Sequence, residues 1–176
     1  MSTKLFGAIY IGSYEVSLKI FEFSQKRKMH EIDYVRARID LGRDAYNKGC
    51  LGYQLVEELC QKLFEYKSIM EEYRVNNYKV YASAVLRDIE NELFVLDQIN
   101  LRTGFNVKVI SNSEVRFLSY ESVAGRESFE SLIKTSAAIV DVGGANLQIT
   151  YFKNGELITT QHIETGTMRI HDLLYD

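Results

Sequence analysis

The distribution of apolar and polar residues along the chain predicts alternating strands and helices. Strands are predicted at residues 6–11, 16–23, 31–38, 78–82 and 107–110. The first two of these form a hairpin around Gly12 and Ser13, and the third extends it into a meander. Because predicted helices separate the later strands, the pattern indicates an α/β domain with a mixed sheet and helices on its faces.

Amphipathic helices are predicted where apolar residues recur at three- and four-residue spacing. The longest covers residues 53 to about 73. A second covers residues 87–101, with Leu93 and Phe94 among its inward side chains, and Gly104 is placed to end it in a left-handed cap. These two helices supply most of the apolar surface that can cover the predicted sheet.

A third helix is predicted to begin at a capping box, in which Ser111 is followed three residues later by Glu114. This helix runs to about residue 124. The polar, glycine-bearing residues 42–52 predict a surface loop, and the charged residues 125–134 predict a loop or a short helix.

Residues 137–150 form the pattern on which the functional interpretation rests. A short apolar strand carries Asp141 near its tip, runs into Gly143 and Gly144, and resumes as a strand with alternating apolar residues. Glycines let backbone N–H groups approach an anion, and an adjacent acid can hold a divalent cation or a water beside phosphate oxygens. The pattern therefore predicts a phosphate-binding loop; the alternative is a tight hairpin with glycines at its turn.

The same pattern occurs near the start of the chain. Residues 8–21 align without gaps on residues 139–152, with glycine on glycine and with Tyr10 opposite Asp141. Two copies of one strand-turn-strand design predict two related lobes. The copies differ where it matters for chemistry, because the first has a tyrosine in place of the acid.

The composition limits the classes of function. A chain of 176 residues with 46% hydrophobic and 26% charged residues is an ordinary globular protein, and its net charge of −3 predicts neither a nucleic-acid nor a membrane partner. Residues 26–28 are basic and predict a surface turn. Cys50 and Cys60 indicate neither a disulfide framework nor a zinc site. Without a signal-peptide pattern, the expected location is cytoplasmic.

Five segments together resemble a known family, in its order and at its spacing. The segments are residues 8–13, 83–88 with Asn91, 109–114, 140–144 and 164–170. They resemble the exopolyphosphatase and guanosine pentaphosphate phosphohydrolase family, Ppx/GppA. The resemblance covers nearly the whole chain.

The resemblance implies an actin-like ATPase fold of the ribonuclease H-like class, with two lobes around a phosphate-binding cleft. Residues 1–125 would form the first lobe, and residues 126–176 the start of an incomplete second lobe. The implied reaction is a Mg²⁺-assisted attack of water on the terminal phosphate of polyphosphate or guanosine pentaphosphate. Family members continue past this length, so we expect either a longer protein or packing on a second copy in a homodimer.

The resemblance also implies roles for individual residues. The implied phosphate-binding residues are Gly12, Ser13, Arg87, Gly143, Gly144 and Ala145. Asp141 matches the catalytic acid of the second loop that binds the metal, and Glu114 is the candidate for the general base. A guanidinium group such as that of Arg87 suits phosphate oxygens, and phosphoryl transfer depends mainly on such positioning and charge neutralisation.

The chain departs from the family pattern at two acidic positions. Tyr10 stands where the first loop has an acid, and a phenol is a poor ligand for Mg²⁺. In ungapped register Glu114 meets the first of two family glutamates, and Val115 meets the second, which is regarded as the base. A shifted helix start could let Glu114 act instead. Glu15 adds negative charge beside the first loop, which opposes a polyanion.

These departures leave several functions open. The chain can be a phosphohydrolase domain with weak or lost activity. It can instead be a non-catalytic module that senses polyphosphate or a nucleotide, or that binds a protein partner. Sugar or acetate kinase chemistry on the same broad fold is a third alternative, although the arginine and Ile-Ser segments resemble the phosphatases more closely.

Overall fold

The computed structural model describes residues 4–24, 29–124 and 129–175 of the chain. The chain forms two compact units, which we call unit 1 (Met1–Ile110) and unit 2 (Ser111–Asp176). The sequence predicts a boundary between the two lobes of the family fold at residues 125 and 126. This boundary is a separate matter from the two units and stays a prediction. Each unit is described here by itself.

Unit 1 contains a mixed sheet of five strands. The strands are β1 (Lys4–Ile11), β2 (Glu15–Phe23), β3 (Met29–Arg38), β4 (Asn77–Ala82) and β5 (Val107–Val109). Their order in the sheet is β3-β2-β1-β4-β5, with β1, β2 and β3 antiparallel and β4 and β5 parallel to β1. This confirms the predicted meander and the predicted mixed sheet. The basic turn predicted at residues 26–28 lies outside the described residues.

The helices of unit 1 pack on one face of this sheet. They are α1 (Leu41–Lys48), α2 (Tyr53–Glu72), α3 (Ala84–Arg87) and α4 (Glu92–Thr103). The face that they cover carries Ile9, Ile11 and Leu18, each no more than 1% exposed. Side chains on the opposite face are half-buried or exposed. The predicted long helix is confirmed as α2 to within one residue.

The surface loop predicted at residues 42–52 is wrong, because its first part is α1. Leu41 and Ala45 are buried in the core, and Gly49 ends the helix at φ 69°. A helix of eight residues with a mostly polar composition gives little periodic signal. The core contacts of its two apolar residues stabilise it.

The helix predicted at residues 87–101 is confirmed over residues 92–101, which belong to α4, but its predicted start is wrong. The chain forms α3 and α4 with a break between them. Leu93 and Phe94, predicted to point inward, are 83% and 44% exposed, whereas Val95 and Ile99 are fully buried. Gly104 does end α4 in the left-handed conformation, at φ 75°, as predicted.

Unit 2 contains an antiparallel meander of three strands and three helices. Its strands are β6 (Ser136–Val142), β7 (Leu147–Lys153) and β8 (Glu156–Ile163). Its helices are α5 (Asn112–Ala124), α6 (Phe129–Ile133) and α7 (Thr167–Tyr175). The short helix predicted within residues 125–134 is α6, and residues 125–128 lie outside the described part.

Three aromatic rings hold α5 and α6 on one face of the unit 2 sheet. Tyr120 of α5, Phe129 of α6 and Phe152 of β7 have ring centroids 5.6–6.0 Å apart. Phe152 is 2% exposed, so this cluster is the centre of the unit's core. None of the helices in the described residues is long and apolar enough to cross a membrane.

The internal repeat predicted from the sequence is confirmed by the strand pairing. Both meanders have an irregular register between their second and third strands. In unit 1 it falls between Ile20 and Phe21, and in unit 2 between Tyr151 and Phe152. These are the same two positions of the repeat, so the two units share the bulge as well as the hairpin.

Candidate functional site

The first glycine loop closes the hairpin between β1 and β2. The N–H of Gly12 donates to the carbonyl of Glu15 at 3.0 Å. A Cβ atom on Gly12 would lie 3.1 Å from that carbonyl oxygen and 3.3 Å from the ring of Tyr10, so a side chain fits there only if its neighbours shift. The Tyr10 ring, which is 40% exposed, therefore lies against the loop at the position where the family resemblance implies an acid.

Ser13 is buried rather than open to a ligand. It is 7% exposed, and its hydroxyl lies 2.5 Å from the hydroxyl of Tyr46. Its carbonyl accepts the N–H of Gly42 at 2.7 Å. Ser13 thus connects the first loop to α1, and its predicted contact with phosphate stays a prediction.

The Arg87 guanidinium group is paired with the next residue in the chain. Its Nε donates to one carboxylate oxygen of Asp88 at 2.7 Å, and its Nη2 donates to the other at 3.1 Å. Its Nη1 donates to the carbonyl of Ile110 at 3.3 Å. A bidentate carboxylate of this kind occupies the donors that a phosphate would use, so a bound phosphate must compete with Asp88.

The residues around Arg87 lie at one edge of the unit 1 sheet. The N–H of Ser83 donates to the carbonyl of Ile11 at 3.2 Å, and the N–H of Ile110 donates to the carbonyl of Ala82 at 2.8 Å. These bonds tie together the carboxyl ends of β1, β4 and β5. Unit 1 therefore brings the first loop and Arg87 to the same edge of its sheet.

Asn91, part of a segment that resembles the family, has a structural role here. Its side-chain oxygen accepts the N–H of Leu51 at 3.0 Å, and its side-chain nitrogen donates to the Leu51 carbonyl at 2.9 Å. These two bonds hold the segment between α1 and α2 against the break between α3 and α4.

The second glycine loop repeats the first. The N–H of Gly143 donates to the carbonyl of Asn146 at 2.9 Å, which is the same bond at the same position of the repeat. The carbonyls of Gly143 and Gly144 accept the N–H groups of Thr167 and Met168 at 3.0 and 3.1 Å. The first turn of α7 thus fixes the loop.

Gly166 shows how closely the turn before α7 approaches this loop. A Cβ atom on Gly166 would overlap the carbonyl of Gly144 and the backbone nitrogen of Asn146. Ala145, between these two residues, is 8% exposed. The glycine in residues 164–170 is therefore required by packing against the second loop, and Ala145 points into the protein rather than into solvent.

Asp141 lies near the end of β6, on the face that α5 covers. Its carboxylate accepts the hydroxyl of Ser119 at 2.8 Å. The strand register places Gln148 beside it, and Gln148 is 8% exposed. His162 follows Gln148 in the same row, and its Nε2 lies 3.3 Å from the side-chain nitrogen of Asn112. Ser119 and Gln148 are thus the polar neighbours of the predicted catalytic acid, and His162 and Asn112 extend this polar row.

Glu114 is engaged in the capping box that the sequence predicts. Its carboxylate accepts the N–H and the hydroxyl of Ser111 at 2.9 and 3.1 Å, while the Glu114 N–H donates to the Ser111 hydroxyl at 3.2 Å. Val115 lies one helical turn before Ser119, which contacts Asp141. The side of α5 that faces the predicted acid therefore carries a valine where the resemblance implies a base.

The donor set for a metal ion is small. Within residues 4–24, 29–124 and 129–175, no group of three or more His, Cys, Asp or Glu side chains could hold a metal ion. Mg²⁺ is commonly held by one or two carboxylates together with substrate phosphates. Asp141 therefore fits as a single protein ligand, and Tyr10 supplies no second carboxylate.

The predicted site residues divide between the two units. Unit 1 holds Gly12, Ser13 and Arg87, and unit 2 holds Glu114, Asp141, Gly143, Gly144 and Ala145. Within unit 2 the strand and helix contacts bring Asp141 close to its loop, whereas Glu114 bonds to Ser111. The sequence pattern gave no sign of Ser119, because it reaches Asp141 only through tertiary packing.

Comparisons with known proteins agree with the sequence and the fold. The sequence profile described as the Ppx/GppA phosphatase family matches residues 20–175. No curated protein sequence matches the chain significantly. Among solved structures, a Ppx/GppA family member from Aquifex aeolicus is 24% identical with a TM-score of 0.78, over 97% of this chain and 54% of that protein.

Two further solved structures share the architecture. An exopolyphosphatase from Cytophaga hutchinsonii is 19% identical with a TM-score of 0.82, over 98% of this chain and 54% of that protein. The ethanolamine utilization protein EutJ from Carboxydothermus hydrogenoformans is 12% identical with a TM-score of 0.55, over 99% of this chain and 57% of that protein. At these identities the likeness shows the fold, and the chain spans about half the length of these proteins.

Proposed function

The chain belongs to the Ppx/GppA phosphatase family and has its actin-like ATPase fold, and from this premise we propose that it is a phosphohydrolase domain with reduced activity. Its substrate would be inorganic polyphosphate or guanosine pentaphosphate, from which it releases the terminal phosphate. A Mg²⁺ ion, weakly bound, and a cytoplasmic location belong to the same proposal.

The observation that carries this proposal is the second glycine loop with Asp141 beside it. The loop is fixed by its own backbone bond and by the first turn of α7. A rigid glycine turn next to one carboxylate is suited to binding a phosphate group, because little reorganisation is needed on binding. In the first loop the equivalent position holds Tyr10, which supports reduced rather than full activity.

The residues present would divide the chemistry as follows. Asp141 would hold Mg²⁺, which when bound neutralises charge on the phosphate oxygens. Arg87 would contact the phosphate after exchanging its bond with Asp88. Glu114 is the remaining candidate to accept the proton of the attacking water, although its carboxylate also caps α5. Loss of a well-placed base typically costs roughly 10²- to 10⁴-fold in rate, or about 3 to 5 kcal/mol.

The test is release of inorganic phosphate from long-chain polyphosphate and from guanosine pentaphosphate in the presence of Mg²⁺. We expect slow release by the native chain, no release by Asp141→Ala, and unchanged release by Asp97→Ala, which removes an exposed carboxylate of α4. Equal activity of the native chain and Asp141→Ala would overturn the proposed role of Asp141. The substrate that is hydrolysed faster identifies the preferred class.

Restoring the two missing carboxylates tests the reason for the reduced rate. The double variant Tyr10→Asp with Val115→Glu should raise Mg²⁺-dependent release by roughly 10²-fold or more, because it returns a metal ligand and a base. Each single variant should give a smaller gain. A folded double variant with no gain would show that these two positions do not limit the reaction.

The second candidate is a non-catalytic module that senses polyphosphate or a nucleotide, or that binds a protein partner. This candidate is favoured because three side chains of the predicted site already have other contacts. Arg87 pairs with Asp88, Glu114 caps α5 and Tyr10 lies on the first loop. A ligand that binds only the folded state raises its stability. A thermal shift with polyphosphate or guanine nucleotides, without phosphate release, would support this candidate.

A further inference from the structure

The face of the unit 1 sheet that is opposite to its helices, which we call the open face, is rich in aromatic rings. Its aromatic side chains are Phe6, Tyr10, Phe21, Phe23, Tyr34 and Tyr81. Tyr10 and Tyr34 are 40% and 42% exposed. Both rings are therefore accessible from solvent, and planar ligands can stack on accessible aromatic rings.

The strand register arranges these rings in a defined order. One row across the five strands consists of Lys108, Tyr81, Tyr10, Ser17 and Arg36. Two adjacent tyrosines therefore have a cation at each end of their row. Because neighbouring strands are about 4.8 Å apart, a row across five strands spans roughly 19 Å. That length exceeds a single nucleotide and fits several.

The next row has a related composition. It contains Lys79, Ala8, Lys19 and Tyr34, in order across the sheet. The Lys19 ammonium lies 4.5 Å from the centre of the Tyr34 ring. Both rows thus contain aromatic rings and cations.

The open face is basic although the chain as a whole is acidic. Its basic residues are Lys4, Lys19, Arg36, Arg38, Lys79 and Lys108. Its acidic residues are Glu15 and Glu31, which pair with Arg36 at 4.0 Å and Lys19 at 2.8 Å. The formal charge of the chain is −3, so the cations are concentrated on this face. An anionic partner complements it.

Comparison with unit 2 indicates that a helix is a poor cover for this face. The equivalent face of unit 2 lies under α5 and carries buried Gln148 and Thr150, where the open face has Ser17 and Lys19. A helix placed over Lys19 and Lys79 would remove charged groups from water at a high cost. A phosphate backbone would instead pair with them.

From these observations we propose that the open face of unit 1 binds single-stranded nucleic acid. The bases stack on Tyr10 and Tyr81, and the phosphates contact the lysine and arginine side chains around them. Base stacking on exposed aromatic side chains next to cations is a general mode of single-strand binding. The net charge of the chain predicts no such partner. The basic residues on the open face are what favour it. This surface borders the first glycine loop at Tyr10, but binding of a single strand does not depend on phosphohydrolase activity.

The experiment measures the fluorescence anisotropy of a labelled 12-nucleotide single strand titrated with the complete 176-residue chain. The double variant Tyr10→Ala with Tyr81→Ala should weaken binding at least tenfold, since stacking contributes strongly for each base. The matched Tyr10→Phe with Tyr81→Phe variant keeps the rings and should bind as the native chain does. Tyr53→Ala, which removes a 64% exposed ring of α2, should have no effect.

A second set of titrations tests the effect of charge on binding and the preference for a single strand. Lys79→Glu with Lys108→Glu should weaken binding and reduce its salt dependence by about 0.7 for each lost phosphate contact, whereas Lys62→Glu on α2 should not. A duplex of the same sequence should bind more weakly. The proposal is overturned if the native chain does not bind the single strand, if the duplex binds as tightly, or if the folded alanine variant binds normally.

Discussion

At the scale of single residues, the buried hydroxyl of Tyr66 links α2 to the sheet. Tyr66 is 1% exposed, and its hydroxyl donates to the carbonyl of Val16 at 2.7 Å. Burial raises the pKa of Tyr66 to about 12. In the unfolded chain the phenol ionises near pH 10, so the folded state keeps a proton that the unfolded state loses. Stability from this group is complete below about pH 10 and falls as the pH rises toward 12, by roughly 1.4 kcal/mol per unit.

The variant Tyr66→Phe isolates this contribution. At pH 7 we expect a loss of about 1 kcal/mol in the free energy of unfolding, because the Val16 carbonyl loses its partner. Between pH 10 and 12 the variant should lose stability less steeply than the native chain. Urea unfolding at both ends of this range measures both effects. Tyr53→Phe, at an exposed position, is the control, and identical pH dependence in native chain and Tyr66→Phe would refute the assignment.

The site residues show what the sequence could and could not provide. Asp141 and Gly143 were identified because a repeated local pattern marks them, and the repeat is present in the strand register. Ser119 was not, because it lies 22 residues from Asp141 in sequence and contacts it through packing of α5. A local sequence pattern predicts local geometry, whereas a contact between distant elements has no comparable pattern in the sequence.

At the scale of elements, Glu114 caps α5 and is also the candidate base, and two substitutions separate these roles. Glutamine can take the capping position of glutamate, so Glu114→Gln should change the midpoint of thermal unfolding little, while Glu114→Ala should cost about 1 kcal/mol. If Glu114 is the base, both variants lose phosphate release. A Glu114→Gln variant with native stability and native activity would exclude Glu114 from the chemistry.

The break between α3 and α4 depends on an interaction between distant residues. Asn91 forms two hydrogen bonds to the backbone of Leu51, a residue that is 3% exposed. This explains why periodicity predicted one continuous helix, since the partner lies forty residues away. The strands and α2 were predictable because their apolar spacing is regular, whereas α1 and this break depend on tertiary contacts.

Replacing Asn91 tests the importance of that contact. Asn91→Ala leaves a buried N–H and a buried carbonyl of Leu51 without their partner, so we expect a loss of roughly 2 kcal/mol in the free energy of unfolding. Asn76→Ala, at an exposed position, should change stability by less than about 0.5 kcal/mol. Chemical denaturation of the two variants and the native chain provides the measurement. A neutral Asn91→Ala variant would mean that water replaces both bonds.

At the scale of the whole molecule, the two repeats bury opposite faces of their sheets. Ile9 and Ile11 of unit 1 are 1% and 0% exposed under its helices. Their equivalents in unit 2, Val140 and Val142, are 54% and 55% exposed. Covering an exposed apolar sheet face is favourable by about 25 cal/mol for each Å² of apolar surface that is removed from water. The sequence leaves two alternatives, a longer protein and a homodimer, and in the homodimer a second copy would cover this face.

We therefore expect the 176-residue chain to self-associate through this face of unit 2. Val140→Lys with Val142→Lys should weaken the association at least tenfold, because two charges would be buried in an apolar contact. Leu93→Lys, on an 83% exposed residue of α4, should leave it unchanged. Sedimentation velocity over a range of concentrations measures the masses. A monomeric native chain throughout that range would reject this dimer, and equal association of the native chain and the double lysine variant would assign it to another surface.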